Sequence, residues 1–159
     1  MFTKLKFSGS TKEQYNLLSK QLDALLEGEN DLIANLSNAS ALLNQFLDNI
    51  NWVGFYLMKD GELVLGPFQG LPACVRIAVG KGVCGTAVSK KETIVVEDVH
   101  KFPGHIACDA ASNSEIVIPI IKNDEVLGVL DIDSPSLNRF SEEDREGLEQ
   151  FMKVLTKHL

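Results

Sequence analysis

One stretch, EIVIPIIKNDEVLGVLDIDS from Glu115 to Ser134, limits the possible folds more than any other. Two aliphatic, β-branched runs at 115–121 and 126–133 flank the four residues Lys122, Asn123, Asp124 and Glu125. A connection that short joins adjacent strands only as an antiparallel hairpin. Trp52, Val53, Phe55 and Leu57 form a second strand pattern, Lys59-Asp60-Gly61 a turn, and 62–68 the return strand. Shorter strand patterns follow at 75–79 and 93–96, with a short helix expected at 86–90. The middle of the chain is therefore an antiparallel sheet.

Helical periodicity is found at both ends. Leu18, Leu22, Leu25 and Leu26 make one apolar stripe, with Thr11 as the expected N-cap and Gly28 as the stop. Leu32, Leu36, Ala39 and Leu43 repeat the pattern over 31–44. Near the C-terminus, Ser141 with Asp144 reads as a capping box ahead of the apolar face of Leu148, Phe151, Met152 and Leu155. The economical architecture is α+β: terminal helices on one face of a central antiparallel sheet, with a loop-covered pocket on the other. A single domain over 1–159 is expected, since 159 residues can bury a core without disulfide or metal staples.

The charge balance narrows the function. Fifteen Lys and Arg stand against 22 Asp and Glu, a net charge of −7, which repels phosphate backbones and argues against nucleic acid. The chain has no basic amphipathic stretch for a membrane surface, no apolar run of membrane-spanning length and no signal-type N-terminus, so a cytoplasmic location is expected. The three cysteines, Cys74, Cys84 and Cys108, are an odd number without CxxC or Cys/His zinc spacing, so neither a disulfide framework nor a metal site is expected, and no cofactor is implied. Two readings of them stand side by side: small buried hydrophobes, or redox thiols at element edges. Cys84 lies just before the expected short helix, whose N-terminus would lower its pKa, and Cys108 lies in the irregular segment 99–113, which reads as a lid or binding loop.

Asp131 and Asp133 share a strand face, roughly 7 Å apart at ~3.4 Å per residue. Such a pair repels unless a cation such as a substrate ammonium sits between them, and a carboxyl kept protonated can serve as a general acid. A turn centred near residue 123 sets Glu115 opposite Asp131, so three acids converge at one pocket end; a solvated acidic rim is the plain alternative. Trp52 and Tyr56 share a face of their strand and read either as core or as an aromatic wall. His100 and His105 read as exposed loop histidines, with a Cys-His pair involving Cys108 as the other option.

The segments NWVGFYL (51–57), LGPFQG (65–70), ACVRI (73–77), GKGVCGTA (80–87), the long stretch 96–120 and GVLDIDSP (128–135) together resemble a GAF domain, and within it the free methionine-(R)-sulfoxide reductase family. The likeness covers nearly the whole chain and includes all three cysteine positions. It implies reduction of free methionine-(R)-sulfoxide, with Cys108 as the attacking thiolate and a second cysteine resolving the sulfenic acid; Cys74 is favoured over Cys84. Thioredoxin would recycle the disulfide. Glu115, Asp131 and Asp133 would hold the substrate ammonium and deliver a proton, Trp52 and Tyr56 would contact the methyl and side chain, and backbone N–H groups near Glu115 and Ile116 would take the carboxylate. A homodimer through the helices is compatible with the likeness. The rivals are a non-catalytic GAF small-molecule sensor, which an acidic pocket suits poorly for phosphate ligands, and an interaction module with incidental thiols.

Overall fold

The computed structural model describes residues 2–4, 6–105 and 110–159. Thr11–Leu26 forms α1, and its cap is Ser10 rather than Thr11: the Ser10 hydroxyl accepts from the Glu13 N–H at 3.2 Å. Asp31 caps Leu32–Phe46, α2, accepting from the Ala34 N–H at 2.8 Å. The strands are Trp52–Lys59 (β1), Glu62–Gly70 (β2), Arg76–Ala78 (β3), Ile94–Val96 (β4), Ser114–Lys122 (β5) and Glu125–Ser134 (β6). They form one six-stranded sheet in the order β3-β2-β1-β6-β5-β4, with every neighbouring pair antiparallel.

The central hairpin differs from the sequence-based register. Glu115 pairs with Asp133 and Val117 with Asp131. Two causes add. The turn is centred between Asn123 and Asp124, both in the left-handed region at φ 53° and 62°, where short polar side chains are tolerated. Leu127 is an extra residue in β6 between the pairs Ile120–Gly128 and Ile121–Val126. Together they move the partner of Glu115 by two residues. Because side chains alternate with period two, a two-residue shift leaves Val129, Asp131 and Asp133 on their expected face. On the turn side of the extra residue the faces exchange: Leu127, expected beside Val129, packs on the helical core, and Val126, expected beside Leu130, packs on the pocket side.

Val53, Phe55, Leu57, Ile116, Ile118, Leu130 and Ile132 point to the helical side, packed with the buried stripes of α1, α2 and Glu142–Lys157, α4. The capping box at Ser141 is present in full, and its Asp144 does more than cap: Oδ1 accepts from the Tyr15 hydroxyl at 2.7 Å and Oδ2 from Arg139 at 3.2 Å. This network fastens α1 to α4. Beside it, Gly147 lies flat against the Tyr15 ring, where a Cβ would come within 2.2 Å of ring carbon. Gly147→Ala is expected to destabilise the fold by about 1–3 kcal/mol through overpacking, lowering the melting temperature by about 3 °C for each kcal/mol at this size. A scanning calorimetry trace indistinguishable from the parent would refute it.

The opposite face carries a second core built from Trp52, Tyr56, Leu63, Ile77, Val117 and Val129. Loops were expected to cover it alone. Instead Gly82–Lys90 forms α3, four residues longer at its start than the sequence pattern suggested, and packs Val83, Cys84, Ala87 and Val88 onto this side. Gly85 makes that approach feasible, because a Cβ there would meet the Ala78 carbonyl at 2.4 Å. Among the described residues, no helix is long and apolar enough to cross a membrane.

Candidate active site

Sheet geometry gathers the acidic residues. Cross-strand pairing sets Glu115 beside Asp133, and alternation along β6 adds Asp131 on the same face. Their side chains line a cavity of about 540 Å³, counting its open mouth, together with Trp52, Tyr56, Cys84, His105 and Ser112. Glu115 is 5% exposed and Asp131 6%, so a solvated acidic rim is excluded for these two. Burial, reinforced by the charge of Asp133, pushes the Glu115 carboxyl up to about 8. Burial, then the charge of Glu115, holds Asp131 well above the usual carboxylate range. The two carboxyls are hydrogen-bonded to each other. Glu115 thus remains protonated near neutrality, as proton donation requires.

The placement of Cys84 corrects the sequence reading. It sits within the first turn of α3 rather than ahead of it, and it is buried. The expected lowering of its pKa does not occur. Burial and the nearby charges of Asp131, Glu115 and Asp133 push the thiol well above its ordinary value, and its sulfur lies within 4.8 Å of a carboxylate oxygen of Asp131. Desolvation and three acids outweigh the dipole of a nine-residue helix. Cys84 is a free thiol, whereas Cys74 is disulfide-bonded. Cys108 lies outside the described residues.

Trp52 and Tyr56 form a wall. Trp52 stacks between Tyr56, with ring centroids 5.9 Å apart, and Phe68, at 5.1 Å. Their polar tips have structural partners: Trp52 Nε1 donates to the Leu71 carbonyl and the Tyr56 hydroxyl to the Cys74 carbonyl, each at 3.1 Å. Both aromatic residues therefore hold the segment that carries Cys74, a role the sequence did not disclose. Burial and the charge of Asp131 push the Tyr56 hydroxyl up, so it stays a donor. Ile116 turns its side chain into the helical core, which leaves only its backbone for any part in the pocket.

Of the two histidines, His100 is exposed, with Nε2 3.1 Å from Asn113 Oδ1. His105 is not the exposed loop residue expected. It lines the cavity with Nε2 3.7 Å from Glu115 Oε1. Burial lowers its pKa while that of Glu115 is raised, so near neutrality this contact joins two neutral groups rather than an ion pair. Ser112, also missed in the sequence, accepts from Asn51 Nδ2 at 3.1 Å and ties the segment before β5 to the start of β1.

A six-stranded antiparallel sheet with terminal helices on one face and a pocket on the other is the architecture of a GAF domain, and the family model described as "GAF domain" matches residues 36–157. A curated Escherichia coli protein named free methionine-R-sulfoxide reductase is 56% identical over 147 residues, covering 92% of this chain and 89% of that protein. The structure of fRMsr of Staphylococcus aureus in complex with substrate aligns with TM-score 0.89 and 57% identity, over 98% of this chain and 99% of the other. Free methionine-R-sulfoxide reductase from Neisseria meningitidis, also in complex with its substrate, aligns with TM-score 0.92 and 44% identity over 97% and 93%. The chain belongs to the free methionine-R-sulfoxide reductases, oxidoreductases acting on a sulfur group and built on a GAF domain.

Proposed function

We propose that this pocket reduces the R epimer of free methionine sulfoxide by a thiol cycle in which Cys108 attacks, Cys74 resolves and thioredoxin restores both thiols. The observation that carries the reading is the convergence of Glu115, Asp131 and Asp133 beside the aromatic wall of Trp52 and Tyr56. A zwitterionic amino acid brings one ammonium, and an ammonium is what repelling buried carboxyls lack. A peptide-linked methionine has none, and would leave those groups unpaired at a cost of several kcal/mol.

In the cycle, the Cys108 sulfur forms a bond to the sulfoxide sulfur as the sulfoxide oxygen takes a proton. Glu115 is the donor best suited to that step, because its raised pKa keeps it protonated near neutrality. A second proton lets that oxygen leave as water, breaking its bond to sulfur. A water molecule then attacks the cysteine sulfur and breaks the sulfur–sulfur bond, so that methionine leaves reduced, one proton is returned and Cys108 is left as a sulfenic acid. The Cys74 thiol then forms the Cys74–Cys108 disulfide and expels water, and a thioredoxin dithiol takes up the oxidising equivalent by exchange. The disulfide at Cys74 supports this assignment, and the free, buried state of Cys84 argues against it as the resolving thiol. Backbone N–H groups at Glu115 and Ile116 are proposed to receive the substrate carboxylate.

The test is thioredoxin-coupled NADPH consumption with free L-methionine-(R)-sulfoxide, its S epimer and an N-blocked sulfoxide. Only the free R epimer should turn over, with two thiols lost per chain in the absence of thioredoxin. Equal turnover of the blocked compound would remove the ammonium argument, and an unchanged thiol count would favour a sensor. Tyr56→Phe keeps the ring stack but loses the bond to the Cys74 carbonyl. Stopped-flow measurement should show disulfide closure slowed about 5–10-fold, equivalent to roughly 1 kcal/mol for one hydrogen bond, with sulfenic acid formation unaffected.

A further inference from the structure

The contacts of Cys84 with the acids go beyond what binding an amino acid requires. One ligand atom each from Cys84, Glu115 and Asp131 lies within 4.8 Å of the others, and all three residues are buried. Asp131 Oδ1 is buried without a hydrogen-bond partner among the described residues. His105 Nε2 stands 3.7 Å from Glu115 Oε1. Spacing along the chain hides this set, because the residues come from α3, β5 and β6 and no short motif links them. That is why the sequence argued against a metal site.

Thiolate, two carboxylates and an imidazole are the donor types that four-coordinate Zn²⁺ takes, with bonds of about 2.0–2.3 Å. Such bonds separate neighbouring ligand atoms by roughly 3–4 Å, which small side-chain rotations reach from 4.8 Å. The orphaned, buried carboxylate oxygen of Asp131, a member of this cluster, supplies the electrostatic demand: a cation there would satisfy it and cancel the mutual repulsion of the acids. Hard cations such as Mg²⁺ fit poorly, since they prefer all-oxygen, octahedral surroundings.

We propose that Cys84, Glu115 and Asp131, with His105 as the neighbouring fourth donor, form a Zn²⁺-class binding site that overlaps the amino-acid pocket and closes it reversibly. Binding displaces the Cys84 thiol proton and the carboxyl protons into solvent and changes no oxidation state. The blocking effect rests on the pocket being the methionine sulfoxide site; metal binding itself does not.

The experiment titrates reduced, reductant-free full-length protein with Co²⁺, a coloured stand-in for Zn²⁺. One equivalent should produce a saturable thiolate-to-cobalt charge-transfer band with the visible bands of a four-coordinate ion, and Zn²⁺ should abolish both. Cys84→Ser should lose the charge-transfer band, Asp131→Asn should bind at least ~10-fold more weakly, and Cys74→Ser should keep the band. Circular dichroism confirms that each variant is folded. L-Methionine, which is not turned over, should displace the metal, and Zn²⁺ should inhibit turnover competitively until a chelator is added. The absence of a saturable band, its survival in Cys84→Ser, or its loss in Cys74→Ser would each overturn the site. A band that L-methionine leaves unchanged would overturn the overlap. If the metal-free protein fails to reduce free methionine-(R)-sulfoxide, the reductase reading fails, while the cobalt spectrum decides the metal site independently.

Discussion

Cys108→Ser is expected to abolish turnover, by at least ~10⁴-fold, whereas Cys74→Ser should release about one equivalent of methionine and then stop. The difference follows from the two bonds each sulfur makes. A serine hydroxyl at 108 cannot attack the sulfoxide sulfur or hold the oxidised state, so no first turnover occurs. A serine at 74 leaves attack intact but offers no nucleophile for the sulfenic acid, which thioredoxin then meets without a disulfide. Rapid-quench analysis of methionine, with dimedone trapping of the sulfenic acid, reads both. Full steady-state activity in Cys74→Ser would transfer the resolving role to Cys84. Its burial and its raised pKa make it a poor candidate.

Glu115→Gln should lower kcat/KM by ~10²–10⁴-fold, the range that a positioned general acid supplies. In the parent enzyme kcat/KM should fall as pH rises through about 8, where Glu115 loses its proton, and in the variant that limb should disappear. The same shift has a consequence for stability, with its sign set by linkage. The folded carboxyl binds a proton more tightly than the unfolded one, whose ordinary value is 4.5. Stability from this group is therefore fully present below about 4.5 and is lost progressively as pH rises to about 8. Glutamine removes that loss. The variant should hold its melting temperature between pH 5 and 9 better than the parent while being nearly inactive, which measurements at several pH values would establish. A parent whose stability rises over this interval after correction for its other groups would show that Glu115 is ionised in the fold.

Much of this arrangement could be read from the chain because it rests on local physics. The Ser141–Asp144 capping box, the Asn123-Asp124 turn and the alternation of Asp131 and Asp133 depend on residues within a few positions of each other. Register was legible only in its parity. The turn centre and an extra residue at Leu127 are not encoded by an apolar pattern, yet their combined two-residue shift left the acids on the expected face. The start of α3 was missed because Gly82 and Gly85 read as loop, whereas Gly85 is needed for close approach to the Ala78 carbonyl.

From its order of residues alone, the chain defined an antiparallel sheet with helices at both ends, three acids at one end of a pocket and a likeness to the free methionine-(R)-sulfoxide reductases. Local hydrogen bonding, period-two alternation and motif likeness suffice for those. Folding in three dimensions settled what depends on distant segments meeting: that Cys84 is buried against Asp131 with a raised pKa, that His105 faces Glu115, and that Tyr56 holds the Cys74 segment. Burial and charge proximity control those properties, and both are sums over neighbours that no stretch of sequence contains.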